Sequence, residues 1–300
     1  MTDFITRFAP SPTGLLHLGH AFSALCVHRA AQETGGRFLL RIEDIDQTRC
    51  KSVFEQAIYD DLSWLGLEWE QPVRRQSDHF DDYVLALETL REKNLVYRCF
   101  KTRKDIADEI ARAPHMTAQG PEGPAYFGAQ LPPDEENSLL ADGAPYAWRL
   151  SIAAAKDYLG EAYDRLSFTQ ETSAGAQQIK ATPDIFGDPV IARKDNGTSY
   201  HLASVHDDAL QGVTHVIRGE DLYHAAHLHR LLQALLGYPE PIYRHHRLLS
   251  DGTGRRLAKR DKAAALKALR DSGVNRQSVI GNLGLEHPQV FKKDVLPPSG

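Results

Sequence analysis

The residues best suited to phosphate chemistry lie in SPTGLLHLGH, residues 11 to 20, directly after a strand-like run. Two glycines and two histidines stand where a strand is expected to turn into a helix, namely Gly14, His17, Gly19 and His20. Glycine lets a nucleotide approach the backbone, a helix N-terminus offers N–H groups and a positive dipole, and imidazole adds donors. The segment therefore predicts a nucleotide-phosphate site, although a bare HxxH pattern also occurs as exposed polar residues.

Charged residues close three strand-like runs farther along the chain. Arg7 ends DFITRFAP, Glu43 ends RFLLRIED, and Arg218 ends the strand in VTHVIRGED. In a parallel sheet such ends share one edge, which is where ligands bind. Arginine grips a carboxylate with two hydrogen bonds and an acid holds an ammonium group, so the set suits a free acidic amino acid. Taken singly, each residue is more often part of a surface ion pair.

The elements that position these residues follow from hydrophobic periodicity. Helical spacing from His20 to Glu33, closed by Gly35, separates the first two strands and makes a βαβ unit. Such a unit implies a parallel sheet. Two helices are predicted at about 51–65 and 78–94, and a strand and helix at about 213–236 rebuild the pattern. The pair Asn196-Gly197 between two strand-like runs predicts a hairpin, and a last helix is expected at about 262–269.

A Pro-rich stretch between residues 113 and 145 reads as a loop-rich insertion and not as core. The predicted fold is therefore an α/β, Rossmann-like catalytic domain that an α+β subdomain splits in two. We place its first half at 1–98, the insertion at 99–183, the second half at 184–250, and a loop with a short helical tail at 251–300.

Composition narrows the functional classes. A net charge of −5 excludes a protein that coats nucleic acid indiscriminately, because such binding must neutralise many phosphates. RNA contacts would have to be local, at basic patches 74–75, 244–247 or 255–262. Neither a signal-like start nor a long apolar run is evident, so we expect a cytoplasmic protein without a membrane anchor. Three scattered cysteines fit a reducing compartment.

Two motifs together carry a family resemblance. SPTG-x-LH-x-GH resembles the HIGH motif of class I aminoacyl-tRNA synthetases in its glutamyl and glutaminyl form, and RRLAKRD, residues 255 to 261, resembles the KMSKS loop. The resemblance implies ATP with Mg²⁺, a catalytic role for His17, His20 and Lys259, and ATP binding by the same three residues with Gly14 and Gly19. There are two departures from the KMSKS pattern. Arg256 replaces the first lysine and keeps its charge, whereas Ala258 replaces the serine and loses a hydroxyl, which predicts slower activation.

The same resemblance implies an amino-acid pocket for L-glutamate. Arg7 and Ser11 come from RFAPS, Glu43 from RIEDID, and Tyr200 and Arg218 from the later segment. Arginine accepts no hydrogen bond, so the amide NH₂ of glutamine would face donors, which favours glutamate. A departure at Ser204, where glutamyl enzymes often carry asparagine, bears on fine specificity.

Relatives in this family hold zinc in the insertion through C-x-C, a tyrosine and a further cysteine. Here Cys99 and Tyr126 match, but Lys101 and Gln130 occupy the other two positions. Structural zinc needs four suitable ligands. We therefore predict no zinc in the insertion.

After RRLAKRD, residues 262 to 300 are 39 in number, too few for a separate helical anticodon-binding domain. In this respect the chain resembles glutamyl-queuosine tRNA(Asp) synthetases, truncated paralogues that glutamylate the queuosine base in the anticodon of tRNA(Asp). The predicted partners are glutamate, ATP and queuosine-containing tRNA(Asp), and the predicted state is a monomer. Two alternatives stay open: a minimal synthetase that charges the 3′ end of tRNA(Glu), and a non-catalytic RNA-binding relative.

Overall fold

The computed structural model describes residues 3–112, 118–194, 197–249 and 265–285. Its strands are β1 (Ile5–Phe8), β2 (Arg37–Ile42), β3 (Arg74–Arg75), β4 (Val96–Cys99), β5 (Gln119–Gly120), β6 (Gly123–Pro124), β7 (Ala147–Leu150), β8 (Ser167–Thr172), β9 (Gly175–Lys180), β10 (Val190–Arg193), β11 (His215–Gly219) and β12 (Ile242–His246). Its α-helices are α1 (Leu18–Thr34), α2 (Ser52–Trp64), α3 (Phe80–Glu92), α4 (Arg103–Arg112), α5 (Pro133–Ala141), α6 (Ile152–Leu159), α7 (Glu161–Asp164), α8 (Tyr200–Leu210), α9 (Ala225–Leu236), α10 (Leu266–Asp271) and α11 (Arg276–Asn282). The KMSKS-like loop with Lys259, Arg256 and Ala258 lies outside the described residues.

A parallel sheet forms the centre of the molecule. Strand β1 pairs in parallel with β2, β2 with β3, β11 with β12, and β12 with β8. Thr214, just before β11, donates its backbone N–H to the carbonyl of Ile5 in β1 at 2.9 Å. This bond brings the two sets of strands side by side, although they are far apart in the chain.

Helices cover both faces of this sheet, and alternation along the strands explains why. Leu39 of β2 belongs to the core that packs on α3, α8 and α9, whereas its neighbours Phe38 and Leu40 belong to the core that packs on α1 and α2. In β11 the adjacent Val216 and Ile217 divide in the same way. Successive side chains of a strand point to opposite faces, so both faces are apolar and both are covered. The predicted α/β fold with a parallel sheet is confirmed.

Helix α1 connects β1 to β2, as the periodicity predicted. Its first turn is capped by His17, whose side chain accepts a hydrogen bond from the N–H of Gly19. The helix ends at Gly35, which adopts the left-handed conformation (φ 64°) that glycine tolerates best. Local sequence therefore fixes both ends of the element that carries the histidine motif.

A separate antiparallel sheet connects the two halves of the parallel sheet. Strand β7 pairs with β4 on one side and with β10 on the other. The hairpin of β8 and β9, in contrast, extends the parallel sheet through β12, although it lies within the predicted insertion. Strand pairing thus crosses the predicted domain boundaries at 98/99 and 183/184. The division of the chain into these domains stays a prediction.

One local prediction was wrong. The run that follows Gly197 is helix α8 and not the second strand of a hairpin. The hydroxyl of Ser199 accepts a hydrogen bond from the N–H of Leu202, and this N-cap outweighs the strand-like composition of the run. The Pro-rich stretch also contains α5, which begins at Pro133, a residue type suited to a first helical turn.

None of the helices in the described part of the chain has the length and apolar character that a membrane span requires.

Candidate active site

A cavity of about 300 Å³ opens at the carboxyl ends of β1, β2, β11 and β12. Eight of the ten predicted site residues line it, namely Arg7, Ser11, His17, Gly19, His20, Glu43, Tyr200 and Arg218. Gly14 does not line this cavity, and Lys259 lies outside the described residues. The sheet edge thus gathers side chains from segments that are up to about 200 residues apart.

The histidine motif forms one end of the cavity. The Nδ1 atom of His17 accepts from the N–H of Gly19 at 3.0 Å, and the Nδ1 atom of His20 accepts from the N–H of His17 at 3.2 Å. A neutral imidazole that accepts at Nδ1 carries its proton on Nε2. A Cβ atom on Gly19 would lie 2.9 Å from the ring of His17, so glycine allows the ring to fold back. Both rings are thereby fixed as Nε2–H donors beside a helix N-terminus.

Sequence reasoning did not assign several residues that line the same cavity, among them Ser23, His246 and Arg247. Ser23 lies one helical turn after His20, and its hydroxyl is 3.0 Å from Nε2 of His246. Arg247 places its guanidinium 4.9 Å from the ring centre of Phe22. The spacing of Ser23 from His20 was the available signal, since residues three apart share a helical face.

Buried charges that neutralise one another form the Arg7 side of the cavity. Arg7 donates two hydrogen bonds to Asp208, from Nε at 2.8 Å and from Nη2 at 3.2 Å. The fully buried Arg41 donates to the same carboxylate at 2.8 Å and to Glu43 at 3.2 Å. Burial alone would raise the pKa of Asp208, but Arg7 and Arg41 outweigh it and hold that pKa below its ordinary value.

Glu43 responds differently, because burial raises its pKa against the opposing effect of Arg41 and Arg7. Its side chain is 13% exposed and lines the cavity. A cationic ligand group at this position would stabilise the carboxylate form of Glu43.

Arg218 forms the opposite side of the cavity and has neutral partners. Its Nε donates to Nε2 of His245 at 3.2 Å, and its Nη1 lies 3.5 Å from Nδ1 of His229. The ring of Tyr243 lies 5.3 Å from its Cζ. The Nη2 atom is buried and has no hydrogen-bond partner among the described residues. Arg218 thus presents a buried cation with an unused donor beside the cavity, which is what a carboxylate ligand requires.

Three further polar residues that the sequence analysis singled out differ in their access to the cavity. Tyr200 lines it at the start of α8, and burial raises the pKa of its phenol. Ser11 is exposed at its mouth, with its hydroxyl 3.7 Å from the sulfur of Cys50. Ser204 is buried on α8 outside the cavity lining, and its hydroxyl has no partner among the described residues.

Most of the cations in the first two basic patches are paired with carboxylates, so RNA contacts at these patches stay a prediction. Arg74 pairs with Asp207 at 2.7 Å and with Asp82 at 2.6 Å. Arg75 pairs with three carboxylates, Arg244 pairs with Glu171, and both histidines between Arg244 and Arg247 are buried. The third patch, 255–262, lies outside the described residues.

The four positions aligned with a zinc site gather around a second cavity of about 380 Å³. Cys99 and Tyr126 line it together with Lys101 and Gln130. The ammonium of Lys101 lies 5.5 Å from the ring centre of Tyr126 and pairs with Glu109. The positively charged ammonium group of Lys101 therefore occupies part of this cavity.

A parallel sheet with a histidine motif at a helix start, and with acidic and basic residues at its carboxyl edge, is the arrangement that the resemblance to a class I aminoacyl-tRNA synthetase predicts. The family model "tRNA synthetases class I (E and Q), catalytic domain" matches residues 3–292. The chain belongs to this family, which confirms the resemblance found in its motifs.

Two similar proteins are glutamyl-Q tRNA(Asp) synthetases. The protein of Rhodobacter capsulatus is 46% identical over 94% of this chain and 100% of its own length. That of Symbiobacterium thermophilum is 37% identical over 97% of this chain and 90% of its own length.

Longer relatives match over only part of their length. Glutamate–tRNA ligase 2 of Jannaschia is 35% identical, and the match covers 94% of this chain and 60% of that protein. The crystal structure of a glutamate tRNA ligase from Elizabethkingia meningosepticum, in complex with its amino acid, superposes with a TM-score of 0.75 at 25% identity and covers 96% and 63% of the two chains.

Proposed function

We propose that this chain uses ATP to activate L-glutamate as glutamyl-adenylate and transfers the glutamyl group to the queuosine base in the anticodon of tRNA(Asp). The observation that carries the proposal is the 46% identity to a glutamyl-Q tRNA(Asp) synthetase along the whole of that protein. Glutamate–tRNA ligases match less closely, and this chain spans about three fifths of their length. Charging of tRNA(Glu) is therefore the second candidate, and a non-catalytic RNA-binding relative is the third.

The charges of the cavity support glutamate as the amino acid. Arg218 offers an unused buried donor for a carboxylate, Glu43 offers a carboxylate for the ammonium group, and Arg7 lies beside Glu43. Ser11 and the neutral phenol of Tyr200 complete the lining with polar contacts. Glutamine would place NH₂ donors against the donors of Arg218, so the pocket would reject it.

The histidine motif supports the ATP step. The glutamate carboxylate oxygen attacks the α-phosphorus, its new P–O bond replaces the bond to the leaving group, and pyrophosphate departs. Nothing in this step requires a covalent enzyme intermediate, so the protein acts by positioning and by charge. His17 and His20 would donate from Nε2 to phosphate oxygens, Gly14 and Gly19 would allow close approach, and Lys259 would stabilise the phosphate charge as pyrophosphate leaves.

Metal requirements follow from the ligands present. Within the described ranges no three His, Cys, Asp or Glu side chains gather so as to hold a metal ion. Mg²⁺ needs no such cage, because it keeps several water ligands and binds through nucleotide phosphates and one or two carboxylates, and it would neutralise phosphate charge when ATP is bound. Zinc stays predicted to be absent from the insertion, and elemental analysis of the purified chain should find well under one zinc per molecule.

The deciding experiment follows labelled glutamate. The chain is incubated with ATP, [¹⁴C]glutamate and tRNA(Asp), either with queuosine or from cells unable to make it, and with tRNA(Glu). We expect label on queuosine-containing tRNA(Asp) alone, and nuclease mapping should place it in the anticodon loop. Label at the 3′ end of tRNA(Glu) would favour the second candidate, and absence of glutamate-dependent pyrophosphate exchange would favour the third.

The remaining parts of the proposal concern the cellular location and the oligomeric state of the protein. Because ATP and tRNA are cytoplasmic substrates, we propose a cytoplasmic location. A monomeric state stays a prediction that sedimentation equilibrium tests.

A further inference from the structure

A continuous row of hydrogen-bonded groups leads from the pocket arginine to the surface of the insertion. Arg218 Nη1 lies 3.5 Å from Nδ1 of His229, and Nε2 of His229 lies 3.1 Å from Nδ1 of His201. Nε2 of His201 lies 2.8 Å from a carboxylate oxygen of Glu122. The two histidines are buried, whereas the side chain of Glu122 is 61% exposed.

Charge fixes the direction of every bond in this row. Arginine only donates, so the Nδ1 atom of His229 that faces Arg218 accepts. A neutral His229 then carries its proton on Nε2 and donates it to Nδ1 of His201. His201 therefore accepts at Nδ1 and donates from Nε2 to the carboxylate of Glu122.

Electrostatics keep His229 in the neutral state that the row requires. Burial lowers the pKa of His229 well below its ordinary value, and the charge of Arg218 lowers it further. The hydrogen bond from His201 lowers the pKa of Glu122, so its carboxylate is ionised at neutral pH. The ends of the row therefore have fixed charge and the middle has fixed tautomers.

The backbone around Glu122 is held against the second half of the fold. Glu122 lies in the turn between β5 and β6, and a Cβ atom on Gly120 would be 2.3 Å from the carbonyl oxygen of Ile185. Beyond this hairpin, the N–H of Asp188 donates to the carbonyl of Tyr126 at 2.6 Å. Glu122 is thus an exposed residue on a turn whose position is well defined.

We infer that Glu122 and His201 are positioning residues for the glutamate site, acting by fixing the tautomer of His229 and thereby the orientation of Arg218. The inference rests on the proposed function, because it assigns Arg218 to the amino acid. It makes the turn between β5 and β6 part of the amino-acid specificity of the enzyme, although that turn does not line the cavity.

The kinetic test uses glutamate-dependent pyrophosphate exchange without tRNA. Glu122→Ala should raise the KM for glutamate about fivefold, the loss expected for one hydrogen bond, with the KM for ATP unchanged within about twofold. Glu122→Gln keeps an acceptor oxygen and should stay within about twofold of the original chain. Glu135→Ala changes another exposed acid of the insertion and serves as the matched control.

Non-additivity separates this role from a general structural one. In a His229→Leu background, which has no ring to orient, Glu122→Ala should raise the glutamate KM no further. An unchanged glutamate KM in the single Glu122→Ala variant, or equal rises for glutamate and ATP, would overturn the inference.

A second measurement does not depend on activity. Long-range ¹H–¹⁵N correlation spectra of ¹⁵N-histidine protein distinguish the two tautomers, with His201→Asn and His229→Asn variants for assignment. We expect Nε2–H rings at both positions, and loss of the single tautomer at His201 in Glu122→Ala. An Nδ1–H ring at His229 would refute the row even in an active enzyme. If the original chain lacks exchange activity, the proposed function fails and the positioning role fails with it, whereas an active chain with an Nδ1–H ring at His229 overturns the inference alone.

Discussion

The two arginines of the cavity are almost equally buried, Arg7 with 5% and Arg218 with 4% of its surface exposed, yet their surroundings are opposite. Arg7 shares the carboxylate of Asp208 with Arg41. Arg218 instead donates to His245 and faces His229, and burial together with the charge of Arg218 lowers the pKa of both imidazoles well below their ordinary value. The charge of Arg7 is neutralised by a buried carboxylate, whereas Arg218 has neutral imidazoles as its hydrogen-bond acceptors.

The difference separates stability from binding. A buried ion pair that loses one member leaves an uncompensated charge, so the Arg7 side should be sensitive to substitution in its folding free energy. A buried cation without a carboxylate is already costly, so the Arg218 side should be sensitive in ligand affinity instead. Neutral imidazoles satisfy the N–H groups of Arg218 without cancelling its charge, which leaves that charge for the substrate.

The largest effect is expected for Arg41→Met, on the neutralised side. Arg41 is fully buried and donates to Asp208 at 2.8 Å and to Gln211 at 3.0 Å. Its loss should lower the free energy of unfolding by about 3 kcal/mol in urea denaturation, since Asp208 keeps only Arg7. Arg37→Met is the control, because Arg37 lies on the same strand in an exposed pair with Glu70 and should cost under about 1 kcal/mol. Equal costs would contradict the assignment of this side to stability.

Arg218→Ala should give the opposite pattern. The KM for glutamate in pyrophosphate exchange should rise about 10- to 100-fold, the range for lost charge-assisted hydrogen bonds, with little change in unfolding free energy. Arg218→Lys keeps the charge but not the planar fork and should fall between. Arg7→Ala is the comparison and should change both the glutamate KM and stability. Loss of stability with an unchanged KM in Arg218→Ala would place the glutamate carboxylate elsewhere.

Sequence reasoning found the cavity because its residues have local signatures. Arg7, Glu43 and Arg218 each end a strand-like run, and the topology of a parallel sheet places such ends together. His17 and His20 follow from a motif at a predicted helix start. These features need only short stretches of chain, so they were predictable before any packing was known.

The partners of those residues were not predictable, because tertiary packing alone brings them together. Asp208 lies 201 residues from Arg7, and Asp207 lies 133 residues from Arg74. Arg74 therefore looked like a free basic patch although it is an internal ion pair. A signal did exist in Arg41 within the apolar run FLLRI, since a charge there needs a buried partner.

His245→Glu should convert the Arg218 side into a copy of the Arg7 side. A carboxylate 3 to 4 Å from Arg218 would cancel the charge that the substrate uses, so the glutamate KM should rise about tenfold or more. Stability should hold or increase, because the buried cation gains a counter-charge. His245→Gln supplies a neutral acceptor of similar reach and should remain close to the original KM. Equal KM values for glutamate in His245→Glu and His245→Gln would show that the neutrality of this acceptor does not affect substrate binding.

The smallest effect is expected for Glu43, the largely buried acid that lines the cavity. Its pKa is raised in the folded state, so its contribution to stability is present below the ordinary glutamate pKa of about 4.3 and is lost as pH rises through the folded value. Glu43→Gln removes that loss and keeps an acceptor for Arg41. The variant should therefore be more stable at pH 7.5 by on the order of 1 kcal/mol, with the difference vanishing toward pH 4.

Asp208→Asn should do the reverse, because the pKa of Asp208 is lowered and its contribution to stability is present above the ordinary aspartate pKa and lost in acid. Urea denaturation of the original chain and the two variants between pH 4 and 8 measures how each stability difference changes with pH. If both differences change in the same direction, Glu43 is neutralised by the arginines as Asp208 is, and its carboxylate is not available for the ammonium group of the substrate.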